Sequence, residues 1–391
     1  RGASATDGGS AGRLSLPGCQ SRQFLWCRCR SVAFGPPHLA AALGDACLVA
    51  GRRALLNALT SGFEVPDLAV VAKTTLPPCL IVNPRSFSAS RGLAEQAVAM
   101  AQTHNAEVAV VDGPASTIAA VQSILARRQQ HVMVLAGDGT VCAIVDQLCS
   151  LPAGSWTPDL LVLPGGRSNL TAADLVPGGA ALVTLQRALG LARDGQWDAA
   201  VHERCPLRIE QSPAPARHGF FLAAAVIDSA IRQCHQHRSD HGTPASGLST
   251  ASYLVRLAVR SMFGRSGLSC PTLHVDAGAC GTQHGLVRLL LVTTLLHRTG
   301  LFNPYAERGQ GDVRMTSVSR AAPHFWRWLP RLLTGRYLPS MSADNGYLSG
   351  CCERLLVTGL AGYSLDGEAF DADPSRPLTI TSGPRLRFLS P

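Results

Sequence analysis

The sequence predicts an α/β domain with a parallel sheet, followed by a second, mainly β domain. Three observations carry this. Between residues 76 and 204, short apolar runs alternate with helix-patterned segments. Each apolar run ends in a polar loop marked by Gly or Pro. After residue 205 the helical spacing gives way to alternation and turn residues. Strands separated by helices of this length imply right-handed crossovers between parallel strands.

Taken in order, residues 1–75 are rich in Gly, Ser and Arg and contain the cluster Trp26-Cys27-Arg28-Cys29-Arg30. They resemble a transit peptide superficially and are expected to be a poorly ordered extension, with one amphipathic helix over Ala40–Leu59. The α/β domain is expected over 76–204. Its strands are Cys79–Val82, Glu107–Val111, Val132–Leu135 and Leu160–Leu163, and its helices Ser90–His104, Ser116–Arg128 and Val141–Ser150. The β-rich domain is expected over 205–391. Strands are expected at Leu207–Glu210, Gly285–Leu291, Glu353–Thr358 and Pro377–Ile380, and Tyr363–Phe370 reads as a hairpin around an Asp-Gly turn. Helical material interrupts it at Ala251–Met262 and His324–Leu333.

Composition narrows the function. The 391 residues are 46% hydrophobic and carry a formal charge of +9, enough for a sizeable core and a preference for anionic partners. Aromatics make up only 5%, with no basic run interleaved with them, which argues against nucleic acid. Lys73 is the only lysine, so the chain has no Gly-x-x-x-x-Gly-Lys phosphate loop. The thirteen cysteines are scattered, which fits free thiols in a reducing cytoplasm. The longest apolar runs, such as Phe220–Ile227, fall well short of the ~20 residues that span a bilayer. Any membrane contact is therefore expected to be peripheral.

The chemistry concentrates in the loops that follow the strands. In open α/β sheets, ligands bind outside the carboxyl ends of the strands. Here those loops are Asn83-Pro84-Arg85-Ser86, Asp112-Gly113-Pro114, Gly137-Asp138-Gly139-Thr140 and Pro164-Gly165-Gly166-Arg167-Ser168-Asn169. A glycine turn that opens a helix lets backbone N–H groups approach a phosphate. The carboxylate of Asp138 repels phosphate, so it must hold a metal, take a proton or cap the turn.

Three of these loops in this order, followed by Asp366-Gly367-Glu368, resemble the diacylglycerol kinase catalytic family. Bacterial lipid kinases and sphingosine kinases belong to this superfamily, and NAD kinases are distant relatives. The resemblance covers roughly 78–390. It implies a kinase α/β fold joined to a β-sandwich, with ATP between them and Mg²⁺ as the metal. Asn83, Pro84 and Arg85 would meet the nucleotide, Gly137, Asp138, Gly139 and Thr140 would cradle its phosphates, and Gly165, Gly166, Arg167 and Asn169 would line the other side. Asp366 and Glu368 would reach toward the γ-phosphate and metal. Asp138, Asp366 and Glu368 are the candidate catalytic acids, Asp138 and Asp366 the candidate metal ligands, and the base is either Asp138 or Asp366. Asp228 matches an acid that contacts substrate in some relatives.

The implied activity is phosphorylation of diacylglycerol or a similar long-chain alcohol by a cytoplasmic enzyme at the membrane surface. A homodimer stays open. The alternatives are a catalytically weak nucleotide-binding or regulatory protein, and a kinase of a soluble acceptor such as NAD.

The sequence departs from the family pattern at several points. Ala136 replaces the first glycine of its loop, Cys142 and Ala143 stand where Asn and Glu are usual, and Arg167 and Leu170 replace a threonine and an aspartate. Phe87 takes a usual glycine position, and Gln310-Gly311-Asp312 lacks the first acid of a structural Mg²⁺ turn. Two other clusters carry chemistry. Cys234, His237 and His241 could share one helix face as zinc ligands, but a polar helix end beside the substrate cleft is the preferred reading. Arg256, Arg260 and Arg265 could face an anionic membrane, or simply solvent.

Overall fold

The computed structural model describes residues 76–167, 169–176, 179–241, 270–296 and 302–391, excluding the side chains of 234–241. The N-terminal extension, the side chains of the Cys234, His235, His237, Asp240 and His241 cluster, and the Arg256, Arg260 and Arg265 face lie outside the described residues.

The first half runs β1 (Cys79–Val82), α1 (Leu93–Thr103), β2 (Glu107–Val110), α2 (Pro114–Arg127), β3 (His131–Ala136), α3 (Asp138–Cys149), β4 (Asp159–Pro164), α4 (Leu170–Leu175), α5 (Ala181–Arg193) and β5 (Val201–Arg204). Strands β1 to β4 are parallel, with Ile81 opposite both Ala109 and Val134, and Val134 opposite Val162. All four residues of β1, and Val132–Leu135 within β3, are buried, so the strands carry unbroken apolar runs rather than alternation. Helices α1 to α5 cover the sheet, contributing Ala97, Val121, Ile144, Val145 and Leu185 to one core.

The second half runs β6 (Leu207–Glu210), β7 (Arg217–Gly219), β8 (Phe221–Ala225), α6 (Val226–His241), β9 (Thr272–Asp276), β10 (Thr282–Thr293), β11 (Val313–Ser319), α7 (Phe325–Leu333), β12 (Tyr347–Cys352), β13 (Arg354–Thr358), β14 (Gly362–Leu365), β15 (Glu368–Asp371), β16 (Leu378–Ser382) and β17 (Leu386–Leu389). Apart from β17, these strands pair antiparallel. The long strand β10 pairs with β9 through its first half and with β8 and β11 through its second, with a register shift between Val287 and Leu289. The sheet therefore folds over at β10. Leu207, Ile209, Leu355 and Ile380 from one side meet Leu222, Ala224, Met315 and Tyr363 from the other in a shared core. Alternate residues of β8 and β10, including Ala223, Leu289 and Leu291, point outward into a further core capped by α7. Burial on both faces explains the uninterrupted apolar run Leu289-Leu290-Leu291-Val292.

Two findings differ from the patterning. Helix α3 begins at Asp138, not Val141, because Gly137 is extended at the N-cap and the acid occupies the first helical position, where the helix dipole favours it. Strand β17 leaves the β-rich half and enters the first sheet, parallel to β4 and antiparallel to β5, giving the order β2-β1-β3-β4-β17-β5. The strand order reverses between β1 and β3, so the loops after them flank the crevice where such sheets bind ligands.

Candidate active site

The crevice is built from three loops locked to one another. Asn83, just past β1, donates from Nδ2 to Thr140 Oγ1 at 2.9 Å, and its Oδ1 accepts the Arg85 amide at 3.0 Å. Ser86 Oγ accepts the Gly137 amide at 3.0 Å, and Ser88 Oγ donates to the Gly166 carbonyl at 2.9 Å. The loop after β4 is packed backbone to backbone on the glycine turn. A Cβ at Gly166 would lie 2.7 Å from Gly137 Cα, and one at Gly165 would lie 2.8 Å from the Ala136 nitrogen. Any side chain at either position would force the loops apart. Asn169 holds this loop in shape from a left-handed backbone (φ 49°), accepting the Gly166 amide at 2.7 Å and donating to the Gly166 carbonyl at 3.2 Å.

These loops frame an open cleft of about 500 Å³ lined by Arg85, Ser86, Phe87, Gly137, Gly166 and Arg167. The two departures Phe87 and Arg167 touch each other. The Arg91 and Arg167 guanidinium carbons stand 4.2 and 4.7 Å from the Phe87 ring centroid, within cation–π range. Arg85 is exposed and braced by the Asp112 carbonyl at 3.1 Å and the Asp112 carboxylate at 3.5 Å. Pro84 fixes the turn between Asn83 and Arg85. The cleft wall is therefore cationic and carries the N-terminal end of α3, a setting that attracts anions.

The late acids close the other side. Asp366 and Gly367 both have positive φ, 49° and 90°, as a two-residue type I′ hairpin requires, with Leu365 opposite Glu368. This turn lies over the first turns of α3. The Asp366 carboxylate accepts the amides of Phe220 and Phe221, each at 2.9 Å. Burial pushes the Asp366 carboxyl up to about 7, aided by repulsion from Asp138 and opposed by the two amides. Glu368 lies against Gly139, where an added Cβ would sit 2.6 Å from Glu368 Oε1. Desolvation raises its carboxyl, and Arg217 opposes that rise.

Asp138, Cys142 and Asp146 recur every four residues, so they lie along one face of α3. Cys142, at a usual Asn position, donates its thiol to the His218 carbonyl at 3.4 Å, and burial beside Asp366 pushes that thiol well up. Asp146 accepts the His218 amide at 2.7 Å and contacts its Nδ1 at 3.0 Å. This pair ties α3 to β7, two residues before the amides that hold Asp366. Sequence reasoning missed Ser86, Ser88, Asp146 and His218. The serines of Asn83-Pro84-Arg85-Ser86-Phe87-Ser88 were available as a signal, but the Phe220 and Phe221 amides leave none.

Asp228 is placed differently. Its carboxylate, which is buried, accepts from Ser364 Oγ and from Arg232 Nε, both at 2.8 Å, while Arg232 also pairs with Asp371 at 2.8 Å. Both of its oxygens are thus engaged in tying α6 to the hairpin that carries Asp366. Among the described residues no group of three or more His, Cys, Asp or Glu is close enough to cage a metal.

Residues 77–200 match the model of the diacylglycerol kinase catalytic domain. The match spans about a third of the chain. It holds the Asn83, Gly137–Thr140 and Gly165–Asn169 loops, while Asp228, Asp366 and Glu368 lie beyond the matched span. The chain is also similar in fold to two solved structures described as candidate diacylglycerol kinases from Bacillus anthracis. Each is 13% identical, with TM-scores of 0.54 and 0.53, covering 81% of this chain and 97% and 98% of theirs. An NAD kinase from Archaeoglobus fulgidus aligns at TM-score 0.42 and 12% identity, over 80% of this chain and 93% of its own. No curated sequence matches the chain. At such identities the likeness shows the fold alone.

Proposed function

We propose that the protein is an ATP- and Mg²⁺-dependent kinase that phosphorylates the hydroxyl of diacylglycerol or a similar long-chain lipid alcohol. One observation carries the reading: the Asp366-Gly367-Glu368 turn, distant in sequence, seats its acids on the first turns of the helix opened by the family's glycine loop. Phosphoryl transfer asks mainly for positioning and charge neutralisation, and this is what the crevice supplies.

The residues present fit the implied groups. Backbone of Gly137 and Gly166 so close that Gly166 tolerates no Cβ leaves main-chain amides at the crevice floor. The Gly139 amide has no backbone acceptor within the described hydrogen bonds, as expected in the first turn of a helix. Arg85 and Arg167 add positive charge beside it. Mg²⁺ takes one or two carboxylates and fills its remaining positions with phosphate oxygens and water, a demand that Asp138 and its hairpin neighbours Asp366 and Glu368 meet. When bound, the ion would neutralise charge on the phosphates.

Asp366 is the candidate base, since burial in the metal-free site pushes its carboxyl up to about 7, where it can accept a hydroxyl proton. Asn83, Ser86, Ser88 and Asn169 keep the loops that would hold the nucleotide in register. Among the described residues no helix is long and apolar enough to cross a membrane, and the reading places the enzyme peripherally on the lipid surface.

The test uses the full chain, ATP calorimetry and radiolabelled transfer to detergent-dispersed diacylglycerol, with NAD as the soluble acceptor. Transfer to the lipid, falling about 10²- to 10⁴-fold in folded Asp138→Asn, is the expected result. Full activity in that variant refutes the mechanism. Transfer to NAD instead overturns the acceptor, and ATP binding without any transfer favours a nucleotide-binding protein.

A further inference from the structure

The face around α7 belongs to neither the cleft nor the hairpin. Between Asp312 and Asp344 the chain carries Arg314, Arg320, Arg327, Arg331 and Arg336 and no acidic residue. Arg314 is taken up by the Leu295 and Leu296 carbonyls at 3.3 and 3.0 Å. The other four are exposed, and none has a carboxylate partner among the described residues.

Apolar groups are interleaved with this charge. Phe325 and Leu332 anchor α7 in the core, whereas Trp326, Trp328, Leu329 and Leu333 are only half-buried. Leu286, 42% exposed on the adjoining stretch of β10, accepts the Arg320 amide on its carbonyl at 2.7 Å. Arg288 stands 4.5 Å over Phe325 and 5.9 Å from Trp326, and donates to the Arg320 carbonyl at 3.1 Å. These contacts make one continuous patch, an arginine fringe around a rim of tryptophan and leucine.

We infer that α7 and the Leu286–Arg288 stretch of β10 dock the protein on an anionic lipid surface. Exposed arginines with no internal counter-charge are complementary to acidic headgroups. Amphipathic tryptophan and leucine at half depth are the groups that settle at the boundary between headgroups and acyl chains. A nucleic-acid face would present free ring faces for stacking. Here Trp326 is packed edge-on to Phe325 at 5.0 Å and Trp328 leans on Tyr347 at 5.6 Å. The inference draws its purpose from the lipid-kinase reading, but its test does not depend on it.

The test is sedimentation of the full chain with vesicles of phosphatidylcholine alone and of phosphatidylcholine containing about one third phosphatidylglycerol. Binding should require the anionic lipid and weaken with salt. R327Q/R331Q should lower the vesicle partition about thirtyfold, a factor of roughly five per arginine, with an unchanged circular dichroism spectrum and melting temperature. Leu286→Ser should weaken binding without altering its salt dependence. Equal binding to both vesicles, or wild-type partition by R327Q/R331Q, overturns the inference. So does a double variant that loses affinity for a duplex oligonucleotide while keeping its vesicle partition. Transfer to detergent-dispersed diacylglycerol, which needs no surface, should be untouched in R327Q/R331Q and reports on the kinase reading separately.

Discussion

Asp366 makes the most demanding prediction, because its environment leaves a mark on stability as well as on rate. Its carboxyl is raised from 3.8 to about 7 by burial, with Asp138 adding repulsion. The folded state therefore holds a proton that the unfolded chain releases at lower pH. Stability is greatest below about pH 4 as far as this group is concerned, and is lost as pH climbs through the interval to 7. Each pH unit is worth about 1.4 kcal/mol, so the interval sets a ceiling near 4 kcal/mol for the loss.

Asp366→Asn removes the titration. It also turns an NH₂ group toward the Phe220 or Phe221 amide, a fixed cost of roughly 1–3 kcal/mol for two opposed donors. That cost does not vary with pH, so the slope rather than the level is diagnostic. Chemical denaturation in chelator, without nucleotide, at intervals from pH 4 to 8 should show the wild type losing stability toward pH 7 relative to the variant. The variant should also lose transfer about 10²- to 10⁴-fold at every pH. Parallel stability curves would refute the claim that this carboxylate is held against its ordinary ionisation.

The remaining predictions separate placement from folding. Gly139→Ala replaces glycine in the first turn of α3, worth roughly 0.5–1 kcal/mol in favour of the helix, but its Cβ would collide with Glu368 Oε1. The variant should melt no lower than wild type and lose transfer; unchanged activity would show that the Glu368 position is immaterial. Asp228→Ala leaves Ser364 without this acceptor and Arg232 with only its exposed partner Asp371 and the Phe370 carbonyl, and should destabilise the fold by roughly 1–3 kcal/mol. Asp228→Asn keeps the shape and should recover part of this, which urea denaturation would show.

The loops of the site were legible in sequence because their geometry admits few residues. Gly165 and Gly166 pack against backbone, Asn169 sits at positive φ, and Asp366-Gly367 fits a type I′ turn. Each requirement leaves a residue type behind. Strands β1 to β4 were legible because burial on both faces makes them continuous apolar runs. What escaped was non-local or carried by the main chain. The amides of Phe220 and Phe221 hold Asp366 whatever their side chains are. Asp146 and His218 look like ordinary polar residues until α3 is laid against β7. Strand β17 is a short Leu-Arg-Phe-Leu run whose partners β4 and β5 lie far back in the chain, so no local pattern marks it. Patterning alone sets the start of α3 three residues late, because two glycines and an acid look like loop until Gly137 is seen as the cap.

The connections between the halves explain why a chain this divergent in its motifs can keep one site geometry. The hairpin acids are fixed from three directions. Phe220 and Phe221 hold Asp366 from β8, the Asp228–Arg232 pair holds Ser364 and Asp371 from α6, and Glu368 rests on Gly139 of α3. Beyond the hairpin, β17 returns to the first sheet beside β4, the strand whose loop carries Gly165 and Gly166. The acids and the glycine loops are thus tied to one sheet from both ends of the second half. Substitutions such as Ala136, Cys142 and Ala143 change the lining without releasing any of these ties. A site held by main-chain amides and close backbone packing can lose several familiar side chains and still present an acid near neutrality to a helix N-terminus, the arrangement on which the proposed phosphoryl transfer would rely.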